Sequence, residues 1–160
     1  MEFTTADLCD AYPELVQVAD TVFREYGGLA KFTGPIETLK VFEDNALVRQ
    51  ILETDGQGRV LVIDGGGSVR CALVGGRLAS VAHARGWAGL LVHGGVRDSA
   101  ELAQVPIGIR ALGSIPLRSG KNGTGSRGGG VEFAGVKFTA GSHLYADGDG
   151  IIVSERNLLA

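Results

Sequence analysis

Residues that staple a chain or carry it through a membrane are scarce in this sequence. Only two of its 160 residues are cysteine, Cys9 and Cys71, and they form neither a C-x-x-C pair nor a Cys/His ligand pattern. A disulfide scaffold and a zinc site of the usual spacing are thereby excluded. Both thiols read as small, reduced hydrophobes of a cytosolic protein. No apolar run approaches the roughly 18 residues that would suggest a membrane span. The start, Met1 to Asp7, lacks the basic head and apolar core of a signal peptide, so a soluble, cytoplasmic protein is expected. Basic residues are no surplus either: 15 Lys and Arg stand against 18 Asp and Glu, a net charge of −3 with a pI near 5.6. Direct binding of nucleic acid would call for a basic footprint, which this balance does not provide.

Glycine is the residue in excess, at 26 of 160. The glycines form no collagen period and no low-complexity tract. Most close short apolar runs, which implies many short elements joined by tight turns. With 44% hydrophobic and 21% charged residues, the composition is that of an ordinary globular chain, and 1–160 reads as one domain.

Thr4 and Thr5 ahead of Leu8 suggest a helix start, ended or restarted by Pro13, with another turn over Glu14 to Asp20. The alternation from Phe32 to Phe42 predicts a strand, and the spacing over Asn45 to Leu52 a helix. Arg59 to Ile63 is a continuous apolar run and reads as a strand buried on both faces. A helix is expected from Gly76 to Arg85, closed by Gly86 as its C′ residue. A second buried strand, Gly89 to His93, is expected to end at Gly94-Gly95. A short helix over Ser99 to Gln104 and a strand over Gly108 to Leu112 follow. This succession implies βαβ units with parallel pairing and right-handed crossovers. Beyond it come a loop, Arg118 to Gly130, carrying Lys121 and Arg127, two short strands about Ala134-Gly135, and a turn at Tyr145 to Gly150 into a last strand, Ile151 to Val153. The class is a mixed α/β domain with antiparallel strands at its C-terminal end.

Several motifs dissolve on inspection. Gly123-Thr-Gly-Ser-Arg-Gly128 matches G-x-G-x-x-G by letter, but no helical period follows it, so it reads as a loop. Lys121 is followed by Asn122, so there is no Walker A sequence. Asp147-Gly-Asp-Gly150 lacks the remaining ligands of a calcium loop and reads as a tight turn. His83, His93 and His143 stand far apart and take structural or surface roles. No G-x-S-x-G elbow occurs, and no strand-to-helix glycine fingerprint supports a nucleotide-dependent transferase.

Two corners remain. Gly75-Gly76 precedes a helix, whose N-terminus offers unpaired N–H groups to a carboxylate or phosphate. Arg97-Asp98 lies past the carboxyl end of a buried strand, where ligands of open α/β sheets gather. There Asp98 can give Mg²⁺ one oxygen ligand while Arg97 holds a substrate carboxylate or oxo oxygen and stabilises an enolate. The plain alternatives are a loop-to-helix turn at the first corner and a helix N-cap Asp98 beside a solvated Arg97 at the second.

The two corners fall into one pattern, G-x20-R-D-x2-E/D, met here by Gly76, Arg97, Asp98 and Glu101. With Leu8-Cys-Asp, Val41-Phe-Glu-Asp-Asn45, Val60 to Ser68, Gly86-Trp-Ala-Gly89 and Tyr145-Ala-Asp147, the chain resembles the RraA-like family over essentially its whole length. That family includes the regulator of ribonuclease activity A and the 4-hydroxy-4-methyl-2-oxoglutarate aldolases. The resemblance implies a compact α/β domain of the swivelling β/β/α type, assembled as a homotrimer or a dimer of trimers with sites between subunits. It implies that Gly75, Gly76, Arg77 and Leu78 bind a pyruvyl carboxylate through backbone N–H groups, that Arg97 contacts the oxo group, that Asp98 holds Mg²⁺ or Mn²⁺, and that Glu101 supports them. The implied activity is a metal-dependent aldolase that also decarboxylates oxaloacetate. The alternative is a non-catalytic regulator that binds ribonuclease E. The longer aldolases of the family can carry Asp where this chain has Gly76, which implies a site lacking that carboxylate.

Overall fold

A computed structural model describes residues 2–160; Met1, the first residue of the expected 1–160 domain, lies outside the described residues. Helix α1 (Thr5–Ala11) begins where the threonines predict, with the Thr4 hydroxyl accepting the Asp7 N–H at 3.0 Å. The further helical turn expected over Glu14 to Asp20 does not form. After a turn at Pro13 the chain runs into β1 (Gln17–Val18), whose backbone pairs with the last strand of the molecule. A short β2 (Arg24–Glu25) leads to β3 (Phe32–Lys40), the longest strand.

Next come α2 (Ala46–Leu52), β4 (Val60–Asp64), β5 (Ala72–Val74), α3 (Gly76–Ala84), β6 (Gly89–Val96), α4 (Ser99–Leu102) and β7 (Gly108–Ser114). The chain closes with β8 (Ser126–Arg127), the hairpin β9 (Val131–Phe133) and β10 (Val136–Phe138), and the pair β11 (His143–Asp147) and β12 (Gly150–Ser154). One ten-stranded sheet runs in the order β1-β12-β11-β3-β4-β6-β7-β2, with β5 beside β6 and β8 beside β3.

Strand β3 is the seam of this mixed sheet. Its first half, Phe32 to Pro35, pairs antiparallel with β11; its second half, Ile36 to Lys40, pairs parallel with β4. Beyond the seam β4, β6 and β7 are parallel, as the βαβ succession predicts. All five residues of β4 are buried, the mark of a strand covered on both faces. One face packs under α2 and α3, through Leu39, Leu61, Ile63, Val92, Leu52 and Ala79. The other packs against the β9–β10 hairpin, through Phe32, Val62, Leu91, Phe133, Phe138 and Leu144. Each fully buried side chain of this kind contributes about 1.5–3 kcal/mol. Helices, main sheet and small hairpin thus make the expected α/β layering, a compact domain with a curled mixed sheet.

Two expectations change in this region. Strand β6 does not stop at Gly94-Gly95 but runs on to Val96, because its far end carries the unpredicted β5. Gly95 permits that pairing, since a Cβ there would stand 2.8 Å from the Cys71 carbonyl oxygen. The parallel strands therefore all deliver their carboxyl ends, and the loops after them, to one edge.

Candidate active site

At that edge β5 turns into α3 through Gly75-Gly76, and β6 ends in Val96-Arg97-Asp98. The two segments are stitched by the Arg97 N–H, which donates to the Val74 carbonyl at 3.0 Å. Asp98 sits in the left-handed region, φ 60° and ψ 45°, a conformation costing about 1–2 kcal/mol for most L-residues and least for Asp and Asn.

Asp98 occupies the N-cap position of α4 but makes no cap hydrogen bond there. Its Oδ2 instead accepts the Gly76 N–H at 2.9 Å, so it caps the neighbouring helix α3 across 22 residues of sequence. This corrects the plain reading of Asp98 as the cap of its own helix. It also removes one amide from the expected carboxylate cradle: the Gly76 N–H is taken. The first-turn amides of Arg77 and Leu78 remain without intrahelical acceptors.

Glycine at both positions is a matter of space. A Cβ on Gly75 would lie 2.7 Å from Asp98 Oδ2, and a Cβ on Gly76 would overlap the Glu101 carboxylate. The volume that a side chain at position 76 would take is thus filled from α4 by Glu101. Gly76 is buried beneath these two acids, with Glu101 outside the cavity wall.

Gly75, Arg77, Leu78, Arg97 and Asp98 line one cavity of about 150 Å³. Arg97 is aimed by a hydrogen bond of 3.4 Å from Nη1 to the Pro116 carbonyl. The lining also includes residues that sequence reasoning did not assign to the site: Asn45, the N-cap of α2, Arg49 from its last turn, and Arg118 and Lys121 from the loop after β7. That loop is fastened by the buried Asp44, whose carboxylate accepts the N–H groups of Asn122 at 2.5 Å, Gly123 at 3.1 Å and Ala46 at 3.2 Å. Burial alone would raise the Asp44 carboxyl, but these amides outweigh it and hold it below the usual carboxylate range. The one signal for this arrangement was the block Val41 to Asn45, in which Asp44 sits.

The set-aside motifs stay apart from the site. His93 stacks on Phe133 with ring centroids 4.5 Å apart, and His83 is exposed on α3. Gly123 to Gly128 contains a two-residue strand, Ser126–Arg127, and no helix. Asp147 to Gly150 forms the turn between β11 and β12, and Asp147 also holds the Thr5 N–H and hydroxyl at 2.7 Å each. A larger cavity of about 290 Å³ lies beside Asp20, Phe23, Glu25, Arg110 and Asp149. Its lone arginine is already held by Glu25 and the Ala30 and Asp147 carbonyls, so the chemistry is better placed at the smaller cavity.

Among the described residues no group of three or more His, Cys, Asp or Glu could hold a metal ion. A divalent cation at Asp98 would therefore rest on a single protein carboxylate. Its Oδ2 is oriented by Gly76 and its Oδ1 makes no hydrogen bond to the described residues. That donor set fits a hard cation of the Mg²⁺ type, which keeps several waters and takes one or two carboxylates plus substrate oxygens.

The model of the RraA-like family, described as Aldolase/RraA, matches residues 5–153. A protein of Aromatoleum aromaticum, provisionally named 4-hydroxy-4-methyl-2-oxoglutarate aldolase, is 55% identical over 159 residues, 99% of this chain and 100% of its own. A solved structure from Geobacillus kaustophilus, described as S-adenosylmethionine:2-dimethylmenaquinone methyltransferase, superposes with a TM-score of 0.96 at 50% identity, covering 98% of each chain. The RNA-processing inhibitor RraA from Thermus thermophilus superposes with a TM-score of 0.94 at 50% identity, over 98% of this chain and 94% of its own.

Proposed function

The chain belongs to the RraA-like family, and on that premise we propose that it is a divalent-metal-dependent pyruvate aldolase. It cleaves 4-hydroxy-4-methyl-2-oxoglutarate into two pyruvates and also decarboxylates oxaloacetate. The observation that carries this reading is the Asp98–Gly76 hydrogen bond, which draws the Arg97-Asp98 corner onto the N-terminus of α3 around one cation-rich cavity.

A divalent cation, Mg²⁺ or Mn²⁺, held by Asp98 supplies Lewis-acid polarisation of the 2-oxo group. The Arg77 and Leu78 amides, at the positive end of the helix dipole, hold the pyruvyl carboxylate. In the cleavage the C3–C4 bond breaks, the C4 hydroxyl loses its proton to become the oxo group of one pyruvate, and the bonding pair moves to C3. The Arg97 guanidinium faces the oxygen on which that charge collects and stabilises it in place. Protonation at C3 gives the second pyruvate. Oxaloacetate loses carbon dioxide across the equivalent bond and leaves the same three-carbon enolate, so one arrangement of side chains serves both substrates. The test is pyruvate release from oxaloacetate by purified protein with Mg²⁺, with and without chelator. Activity in Arg97→Ala and Asp98→Ala equal to the parent would show that the site lies elsewhere.

The 50% identity to the RNA-processing inhibitor supports a second reading, binding to ribonuclease E without catalysis. An acidic chain suits the basic surface of an RNA-binding protein. A pull-down against the ribonuclease's C-terminal region, negative at physiological salt, would count against it.

A further inference from the structure

The lining of the cavity is crowded with cations that far outnumber its acids. Arg49, Arg77, Arg118 and Lys121 line it together with Arg97, and Asp98 is the one carboxylate among the lining residues. The ion pairs among the described residues are made by Arg59, Arg70, His93, Arg110 and Arg127, so none of the cavity's cations takes part in one. Like charges gathered around a cavity of about 150 Å³ repel one another, and anionic ligand charge relieves that repulsion. One pyruvyl carboxylate leaves most of the surplus in place, and a divalent cation at Asp98 enlarges it.

Two of these cations are held on firm mounts outside the segments that form the Gly75–Asp98 corner. Arg49 rides on α2, which is anchored in the core by Val48, Ile51 and Leu52. Arg118 is pinned beside β5, where it bridges Ala72 and where the Ala72 N–H donates to the Leu117 carbonyl at 2.8 Å. The two mounts are joined. The Asn45 N–H donates to the Gly120 carbonyl at 3.0 Å, the Gly120 N–H donates to the Glu43 carbonyl at 2.9 Å, and Asp44 grips the amides beyond.

We propose that Arg49 and Arg118 form a subsite for a second, distal carboxylate, so that the site selects dianionic 2-oxo acids over monoanionic ones. The subsite rests on the pyruvate-aldolase reading, in which Arg97 and the α3 amides serve the pyruvyl end. Guanidinium groups suit this task because they present a planar fork to a carboxylate.

The experiment is calorimetric binding, with Mg²⁺ present, of pyruvate and of 2-oxoglutarate, which has the second carboxylate but no 4-hydroxyl to permit cleavage. The parent is expected to bind 2-oxoglutarate roughly tenfold or more tightly than pyruvate, the worth of one charged hydrogen bond. Arg49→Gln and Arg118→Gln, both at exposed positions, are each expected to lose most of that preference with pyruvate affinity unchanged. Arg49→Lys retains an intermediate preference. A parent that binds pyruvate without preferring 2-oxoglutarate overturns the subsite and leaves the aldolase reading standing. So does a preference that survives either Gln substitution, or an equal weakening of both acids. A parent that binds neither acid overturns both.

Discussion

The Glu101 carboxylate lies in the space that a Cβ on Gly76 would fill, so the first and last residues of the G-x20-R-D-x2-E pattern are in direct steric register. The pattern is thus one packed corner: Asp98 takes the Gly76 N–H, and Glu101 covers the Gly76 Cα. Gly76→Ala must displace Glu101, whose exposed side chain can swing aside, so the fold survives and the corner changes. A four-member cycle of parent, Gly76→Ala, Glu101→Ala and the double variant, read as kcat/KM for oxaloacetate, is expected to show a coupling of about 0.5–3 kcal/mol. Gly76→Ala costs activity in the parent and far less once Glu101 is gone. Strict additivity would show that the two residues do not share that space.

Asp98 has two separable duties, and substitution can divide them. Asn keeps an oxygen for the Gly76 N–H and tolerates the left-handed backbone, but carries no charge for a cation. Asp98→Asn is therefore expected to unfold within about 0.5 kcal/mol of the parent while losing activity about 10²-fold or more. Asp98→Ala loses the cap as well, at about 1 kcal/mol, and puts at positive φ a residue without the short polar side chain that lets Asp and Asn tolerate it. Denaturant unfolding and oxaloacetate turnover on both variants check this. Equal stability of the Asn and Ala forms would deny the cap.

Local pattern made much of this fold legible. Val60 to Ile63 is a continuous apolar run and became a strand buried throughout, and Leu78 and Ala82 set the buried stripe of α3. The contacts that complete the site are not local. Arg49, Arg118 and Lys121 meet only because Asp44 binds amides 78 and 79 residues further on, and no spacing rule reaches that far. Likewise β5 is three residues long, too short for periodicity to register, and exists because β6 offers it an edge.

Glycine was legible as a turn signal and less so as a packing surface. Gly89 and Gly108 are partners across β6 and β7, and the Phe32 ring lies over both, where a Cβ on either would overlap it. Gly108→Ala is expected to destabilise the domain by about 1–3 kcal/mol through overpacking. The cost should fall in a Phe32→Leu background, whose smaller side chain leaves room. Thermal melts of the two single variants and the double check this, and an unchanged Gly108→Ala cost in that background would place the strain elsewhere.

Asp147 is buried, and its carboxylate holds the Thr5 N–H and hydroxyl at 2.7 Å each and the Asp149 N–H at 3.0 Å, tying α1 to the β11–β12 turn. Burial pushes its carboxyl upward, but the Thr5, Asp149 and Gly150 hydrogen bonds outweigh burial and leave it below its ordinary value. In the unfolded chain the same group titrates near about 3.9. Above that pH both states are ionised and the hydrogen bonds contribute in full. As pH falls from there toward the folded-state value, the unfolded chain binds a proton that the folded one does not, and the contribution is lost. Melting temperature is therefore expected to drop below about pH 4, and Asp147→Asn should melt lower at neutral pH but with a shallower acid slope. Asp44 is shifted in the same direction, so the slope is reduced in Asp147→Asn and reduced further in the Asp44→Asn, Asp147→Asn double variant. Melts from pH 7 to 3 measure it; a slope in Asp147→Asn as steep as the parent's would mean that this carboxylate does not tie α1 to the sheet.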